Sequence, residues 1–204
     1  MQQPHLIIIA GCNGAGKSTY SQTIVDPILP FDYDKRFLEI ESSLPDSELK
    51  EEFAKNQTTN ELTSLIEKAF ENKKSFCFET NLHIFPSNWI LKAKESGFII
   101  DMHFFCLENI ELAKKRVEIR SKNNGHYVSD EIIDYKWREG YKNLNNHFAE
   151  FDYISFIDNS NEKIPQFMFE LEKITNEEFN LTKLIKVLPN YIERRLPAIF
   201  QYLK

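Results

Sequence analysis

Residues 6–19, LIIIAGCNGAGKST, constrain this chain more than any other stretch. Five apolar residues run without a break into a turn that carries three glycines, a lysine and two hydroxyl side chains. A continuous aliphatic run of strand length marks a strand covered on both faces, as in a sheet packed between helices. A turn that only reversed direction would use one glycine. Three of them let successive amides turn inward, and a helix starting at residue 17 adds the positive end of its dipole, so the loop suits a polyphosphate. Gly11, Gly16, Lys17 and Ser18 satisfy the pattern GxxxxGK followed by Ser,. In that pattern Lys17 brings a point charge to the β- and γ-phosphates, Ser18 a hydroxyl for Mg²⁺, and Thr19 reaches the α-phosphate. Asn13, Gly14 and Ala15 complete the cradle.

The rest of the chain alternates strand-like and helix-like segments. Strands are expected at residues 6–10, 75–80, 98–107 and 152–158, with a short one at 31–34. Helices are expected at 17–25, across 46–72 as one or two pieces, and at 86–96, 109–122 and 129–148,. Strands separated by helices, with no hairpin signal between them, predict an α/β three-layer fold of the P-loop NTPase type around a mostly parallel, five-stranded sheet. Residues 1–165 are expected to form this core and 166–204 a helical extension packed on it. Within the tail, from 181 onward, five basic residues face one acidic residue, with aliphatics at helical spacing,.

Composition excludes several classes of function. The chain has 204 residues, enough for one domain with an appendage, and 17 Phe supply core material,. A net charge of -6 disfavours nucleic acid as a bulk partner,. No apolar run is long enough to span a bilayer, and MQQPH lacks a charged leader, so the expected location is the cytoplasm,. Cys12, Cys77 and Cys106 show no metal spacing and read as reduced thiols, Cys12 being placed where oxidation would impede ligand entry,.

The sequence contains neither an NKxD and DxxG pair nor an LSGGQ-like signature, which leaves the small-kinase arrangement among P-loop proteins. That arrangement needs a carboxylate facing the acceptor and basic residues over the phosphates. Asp32 and Asp34 in FDYD alternate and are read as pointing the same way from a strand end, with Asp34 the candidate base. Glu79 ends a predicted strand at the carboxyl edge, where it can orient a metal-bound water or the acceptor. Arg116 and Arg120, one helical turn apart, are candidates for a phosphate clamp. His126 and Arg138 are weaker candidates.

With these residues assembled, the chain resembles the zeta-toxin family of P-loop kinases, in particular the stand-alone branch often labelled predicted ABC-type ATPase. The matching pieces are LIIIAGCNGAGKST, FDYD, FCFETNL, FFCLENIELAKKRVEIRSKNNGHYVSDEII, the helix with YKNL, and FIDNS, in order across residues 6–160. The resemblance implies an ATP- and Mg²⁺-dependent kinase; the toxins of the family phosphorylate a hydroxyl of UDP-N-acetylglucosamine and are silenced by an antitoxin. It places Lys17 and Ser18 on phosphate and metal, Asp34 as general base, Glu79 beside substrate, Arg120 or Arg116 in the lid, and Asn159 near adenine. Three positions differ from the toxins. Asn81 stands for a threonine, Arg36 is a shifted counterpart of an arginine, and Lys122 or Lys136 stands in for a second lid arginine. The competing readings are an ATP-binding interaction module without acceptor phosphorylation, and a polynucleotide or nucleotide kinase.

Overall fold

A computed structural model describes residues 3–122, 128–161, 164–175 and 177–203 of the chain. Six strands form one sheet: β1 (His5–Ala10), β2 (Phe76–Thr80), β3 (Ile99–Cys106), β4 (Tyr153–Asp158), β5 (Gln166–Lys173) and β6 (Phe179–Lys183), in the order β2-β1-β3-β4-β5-β6. The first four strands of this order run parallel, and β5 and β6 run antiparallel. The helices that connect and flank them are α1 (Lys17–Val25), α2 (Tyr33–Ser43), α3 (Lys50–Glu71), α4 (Ser87–Glu95), α5 (Ile110–Lys122), α6 (Asp130–His147), α7 (Tyr191–Arg195) and α8 (Pro197–Phe200). The α/β fold is as expected, with six strands rather than five.

β1 is central because it is apolar on both faces: Leu6, Ile8, Ile9 and Ala10 are fully buried. β2 pairs with one side of β1 and β3 with the other, so the chain reverses its direction of winding at β1. Connections leaving the carboxyl ends of strands on either side of such a reversal splay apart and open a crevice. The loop after β1 lies at that crevice.

Two expectations about local structure are corrected. Residues 31–34 form no strand; Phe31 makes a single bridge to Phe78, and α2 starts at Tyr33. Asp32 is the N-cap of α2, its Oδ1 accepting from the Lys35 amide at 3.0 Å. An Asp at this place satisfies a free helix amide, and that local gain outweighs weak strand propensity. The segment from 166 onward is not helical throughout, since β5 and β6 come first and only α7 and α8 are helical. QFMFELEK buries Phe169 and Leu171 on one face and Met168 on the other, and β4 offers β5 an edge to pair with,. Among the described residues no helix is long and apolar enough to cross a membrane.

Candidate active site

The loop between β1 and α1 owes its shape to glycine. Gly14 has φ 77° and Gly16 φ 95°, a region that side chains rarely enter,. Space is closed too: a Cβ at Gly14 would come within 2.6 Å of the Ala113 carbonyl oxygen, and one at Gly16 would collide with the Asn159 amide. Asn159 is 4% exposed and its Nδ2 donates to the Ala15 carbonyl at 2.8 Å, bracing the loop from the end of β4. The residue expected beside adenine therefore uses its side chain on the loop itself.

Lys17 folds back under this loop. Lys17 is 8% exposed, and its ammonium donates to the carbonyls of Gly11 at 2.9 Å and Cys12 at 3.2 Å and to Asn81 Oδ1 at 3.2 Å. Asn81 follows β2, in a segment that α6 holds: Asn143 Nδ2 donates to the carbonyls of Leu82 and His83, and Gly140 lies against the Asn81 carbonyl. Cys12 is buried, which pushes its thiol up to about 12 against the opposing pull of Lys17. A thiol held protonated at neutral pH is inert, so Cys12 is packing material rather than a redox switch.

Glu79, at the end of β2, is the buried acid of the site. Its Oε2 accepts from Ser18 Oγ and its Oε1 from Ser21 Oγ, each at 2.7 Å. Burial raises its pKa, the two serine hydroxyls oppose that shift, Asp32 reinforces it and Lys17 opposes it,. The bridge between Phe31 and β2 sets the start of α2 beside Glu79: Phe31 N donates to Cys77 O and Glu79 N to Phe31 O, both at 2.9 Å.

Asp34 is in the first turn of α2, and its Oδ2 accepts from Asn13 Nδ2 of the loop at 3.3 Å. The two aspartates of FDYD thus divide their roles, one capping the helix and one meeting the loop. Around Asp34 lie His83, which no motif singled out, and Lys136, one of the two stand-ins for a second lid arginine. His83 has its pKa lowered, first by burial and then by Lys136, with Asp34 opposing. Lys136 of α6 is likewise lowered by burial, with Asp34 opposing and Lys17, Lys55 and Arg120 adding to the decrease.

Of the basic residues on α5, Arg116 reaches the loop, its Nη1 donating to the Gly14 carbonyl at 3.4 Å. Arg120, a turn further on, is exposed. Of the two stand-ins for a second lid arginine, Lys136 faces the site, whereas Lys122 is exposed and paired with Glu118 at 2.6 Å. Arg36 is committed to Glu39 and Glu61 and Arg138 to Glu139. His126 lies outside the described residues.

Ser21 was not singled out in the sequence, and its one signal was its place a turn beyond Ser18 on the same helix. His83 and Lys55 gave no local signal, and Asn81 and Asn143, which lie in stretches matching the family, acquire their contacts to Lys17 and to the Leu82 and His83 carbonyls only through long-range packing. Among the described residues no group of three or more His, Cys, Asp or Glu forms a ready metal cage. The Ser18 and Glu79 pair still offers a hard cation the ligand types it prefers, a hydroxyl and a carboxylate,.

A buried strand, a glycine loop holding a lysine, and a carboxylate on the neighbouring strand define a P-loop phosphotransferase. The chain belongs to the Zeta toxin family, whose model matches residues 1–164. It is 25% identical over 142 residues to an uncharacterized protein of Haemophilus influenzae, an alignment covering 67% of this chain and 95% of that protein. Its fold is similar to that of a chain from the PezAT chromosomal toxin-antitoxin system of Streptococcus pneumoniae, with TM-score 0.61, 20% identity, and 78% of this chain and 69% of that one covered. It is also similar to a chain of the AvrRxo1-ORF1:-ORF2 complex crystallised with ATP, with TM-score 0.60, 10% identity, and 94% and 67% covered.

Proposed function

We propose that this protein transfers the γ-phosphoryl group of ATP to a hydroxyl of a small acceptor, with a UDP-N-acetyl sugar as the first acceptor to try. The observation that carries this reading is the meeting of three parts at the carboxyl end of β1 and β2: the loop with Lys17, the Ser18 to Glu79 hydrogen bond, and Asp34 tied to Asn13. A fold-level neighbour crystallised with ATP supports the choice of nucleotide.

In this reading the loop amides of Gly11, Asn13, Gly14, Ala15, Gly16, Lys17, Ser18 and Thr19 enclose the phosphates. Asn159 supports that loop from behind. Ser18 and Glu79 would hold Mg²⁺, which would neutralise charge on the transferring phosphates,. Asp34 accepts the proton of the acceptor hydroxyl as its oxygen bonds to the γ-phosphorus, the bond to the bridging oxygen breaks, and ADP leaves. Lys17, released from Asn81, and Arg116 or Arg120 offset the charge that spreads over the transferring group. Lys136 and His83 line the acceptor side.

Labelled ATP incubated with the protein and a metabolite extract containing UDP-sugars should yield one phosphorylated small molecule, identified by mass spectrometry. ATP uptake with no acceptor-dependent ADP release would instead mark an ATP-binding module. The relatedness to a toxin-antitoxin system supports a protein antitoxin as partner, which a pull-down at stoichiometric yield would establish.

A further inference from the structure

Asn13 stands between the nucleotide loop and Asp34. It is 2% exposed, its Nδ2 donates to Asp34 Oδ2 at 3.3 Å, and its Oδ1 is buried with no hydrogen-bond partner among the described residues. The loop does not need this side chain to turn, because the Ala15 amide donates to the Cys12 carbonyl at 3.1 Å and closes the turn with backbone alone. Nor is Asp34 needed as a cap, since Asp32 fills that place on α2. The contact is thus surplus to local structure on both sides, and it leaves an amide oxygen without a partner, which folding alone disfavours.

Turning the amide over would set Asn13 Oδ1 against the carboxylate, acceptor against acceptor. An ionised Asp34 therefore fixes which way Asn13 faces, and Asn13 fixes the carboxylate relative to the loop. A neutral amide suits this task better than a cation would. A lysine or arginine in its place would hold the carboxylate so firmly ionised that it would be a poor base, whereas an amide orients without adding charge. Attack on a phosphate held by the loop also requires the base to be positioned within a fraction of an ångström.

We infer that Asn13 is a positioning residue: it ties Asp34 to the phosphate-binding loop and leaves Asp34 Oδ1 for the proton of the acceptor hydroxyl. This rests on Asp34 acting as the base. The test is a double-mutant cycle of Asn13→Ala, Asp34→Asn and the pair, read as label transfer from ATP in the extract assay and as MgATP affinity by calorimetry. Asn13→Ala is expected to slow transfer by about 10- to 100-fold with MgATP affinity within about threefold, and to add no further loss in the Asp34→Asn background.

Unchanged transfer in Asn13→Ala, an independent further loss in the double variant, or a tenfold weaker MgATP affinity would each overturn the inference. Asn13→Ser, read in the same cycle, replaces Asn13→Ala if the latter does not fold. Full transfer by Asp34→Asn alone, or none by the wild type, would instead overturn the underlying reading and the inference with it. Loss in Asp34→Asn but not in Asn13→Ala overturns only the inference.

Discussion

The two halves of the sheet are built on different rules. In the parallel half, β2-β1-β3-β4, the carboxyl ends of all strands lie on one edge, and candidate site residues lie at or just beyond those ends: the loop after β1, Glu79 and Asn81 at β2, and Asn159 after β4. In the antiparallel half, β5 and β6, alternate strands end on opposite edges and no candidate site residue is found. Burial shows the same division, since β1 is apolar throughout and β6 is partly or fully exposed along its length. The parallel half gathers the candidate site residues and the antiparallel half extends the sheet beyond them.

Substitutions in the parallel half that touch the loop should therefore have the largest effects on turnover and small ones on stability. Lys17→Ala removes the buried ammonium and is expected to lower phosphoryl transfer by at least about 10³-fold. Single-turnover assays with labelled ATP check this, and near-normal transfer would remove the loop from the chemistry. Asp34→Asn should come next, losing about 10²- to 10⁴-fold in rate while MgATP affinity by calorimetry is kept, because only the transition state needs the base.

The antiparallel half should answer in stability instead. Phe169 is fully buried on β5 and stacks on Phe156 of β4 with ring centroids 4.3 Å apart. Phe169→Ala is expected to cost about 3–5 kcal/mol and to leave turnover per folded molecule unchanged. Residue 169 lies beyond the stretch matched by the family model. One cooperative thermal transition, shifted as a whole, would show that the extension folds as part of the core. Two separate transitions would break the comparison by making the extension its own unit.

What could be read from the sequence divides along the same line. The loop was legible because its chemistry is local: a strand, glycines, a lysine and a serine that are consecutive in the chain. Glu79 and Asp34 were legible as carboxylates near strand ends, but their partners were not. Ser21 meets Glu79 and Asn81 meets Lys17 only once β2 is laid beside β1. β5 was missed because its alternation is weak beside a charged surface pattern, and what makes it a strand is the edge that β4 offers. The start of α2 was missed because one capping bond at Asp32 outweighed the strand character of Phe31 and Tyr33.

Toward the amino edge the two halves share a hollow of about 350 Å³, lined by His5, Asp101, Met102, His103, Ile154 and Glu170 among others. Burial lowers His103 from 6.5 to about 4. The unfolded chain then takes up this proton first, so stability is unaffected above pH 6.5 and is lost as pH falls toward 4, by up to about 3 kcal/mol. Asp101 has its pKa raised by burial, against the hydrogen bond from His5, and contributes with the opposite sign. The comparison to make is His103→Gln against wild type by urea denaturation at pH 7.5 and 4.5. The difference between the two proteins should change in favour of the variant at the lower pH, and a constant difference would place His103 in a wetter setting than this.

The smallest effect is expected at the far edge. Thr182 lies on β6, exposed, opposite Glu170 of β5, and no strand pairs with β6 on its other side among the described residues. Replacing it with alanine gives up some strand propensity and a little cross-strand contact, on a strand whose neighbours are already open to water. Those terms together amount to about 0.5 kcal/mol or less. Thr182→Ala should therefore shift the urea midpoint barely at all and leave phosphoryl transfer at the wild-type rate. If this edge substitution changed transfer severalfold, β6 would be coupled to the crevice through β5 and β4, and the division between a half that reacts and a half that only closes the sheet would have to be abandoned.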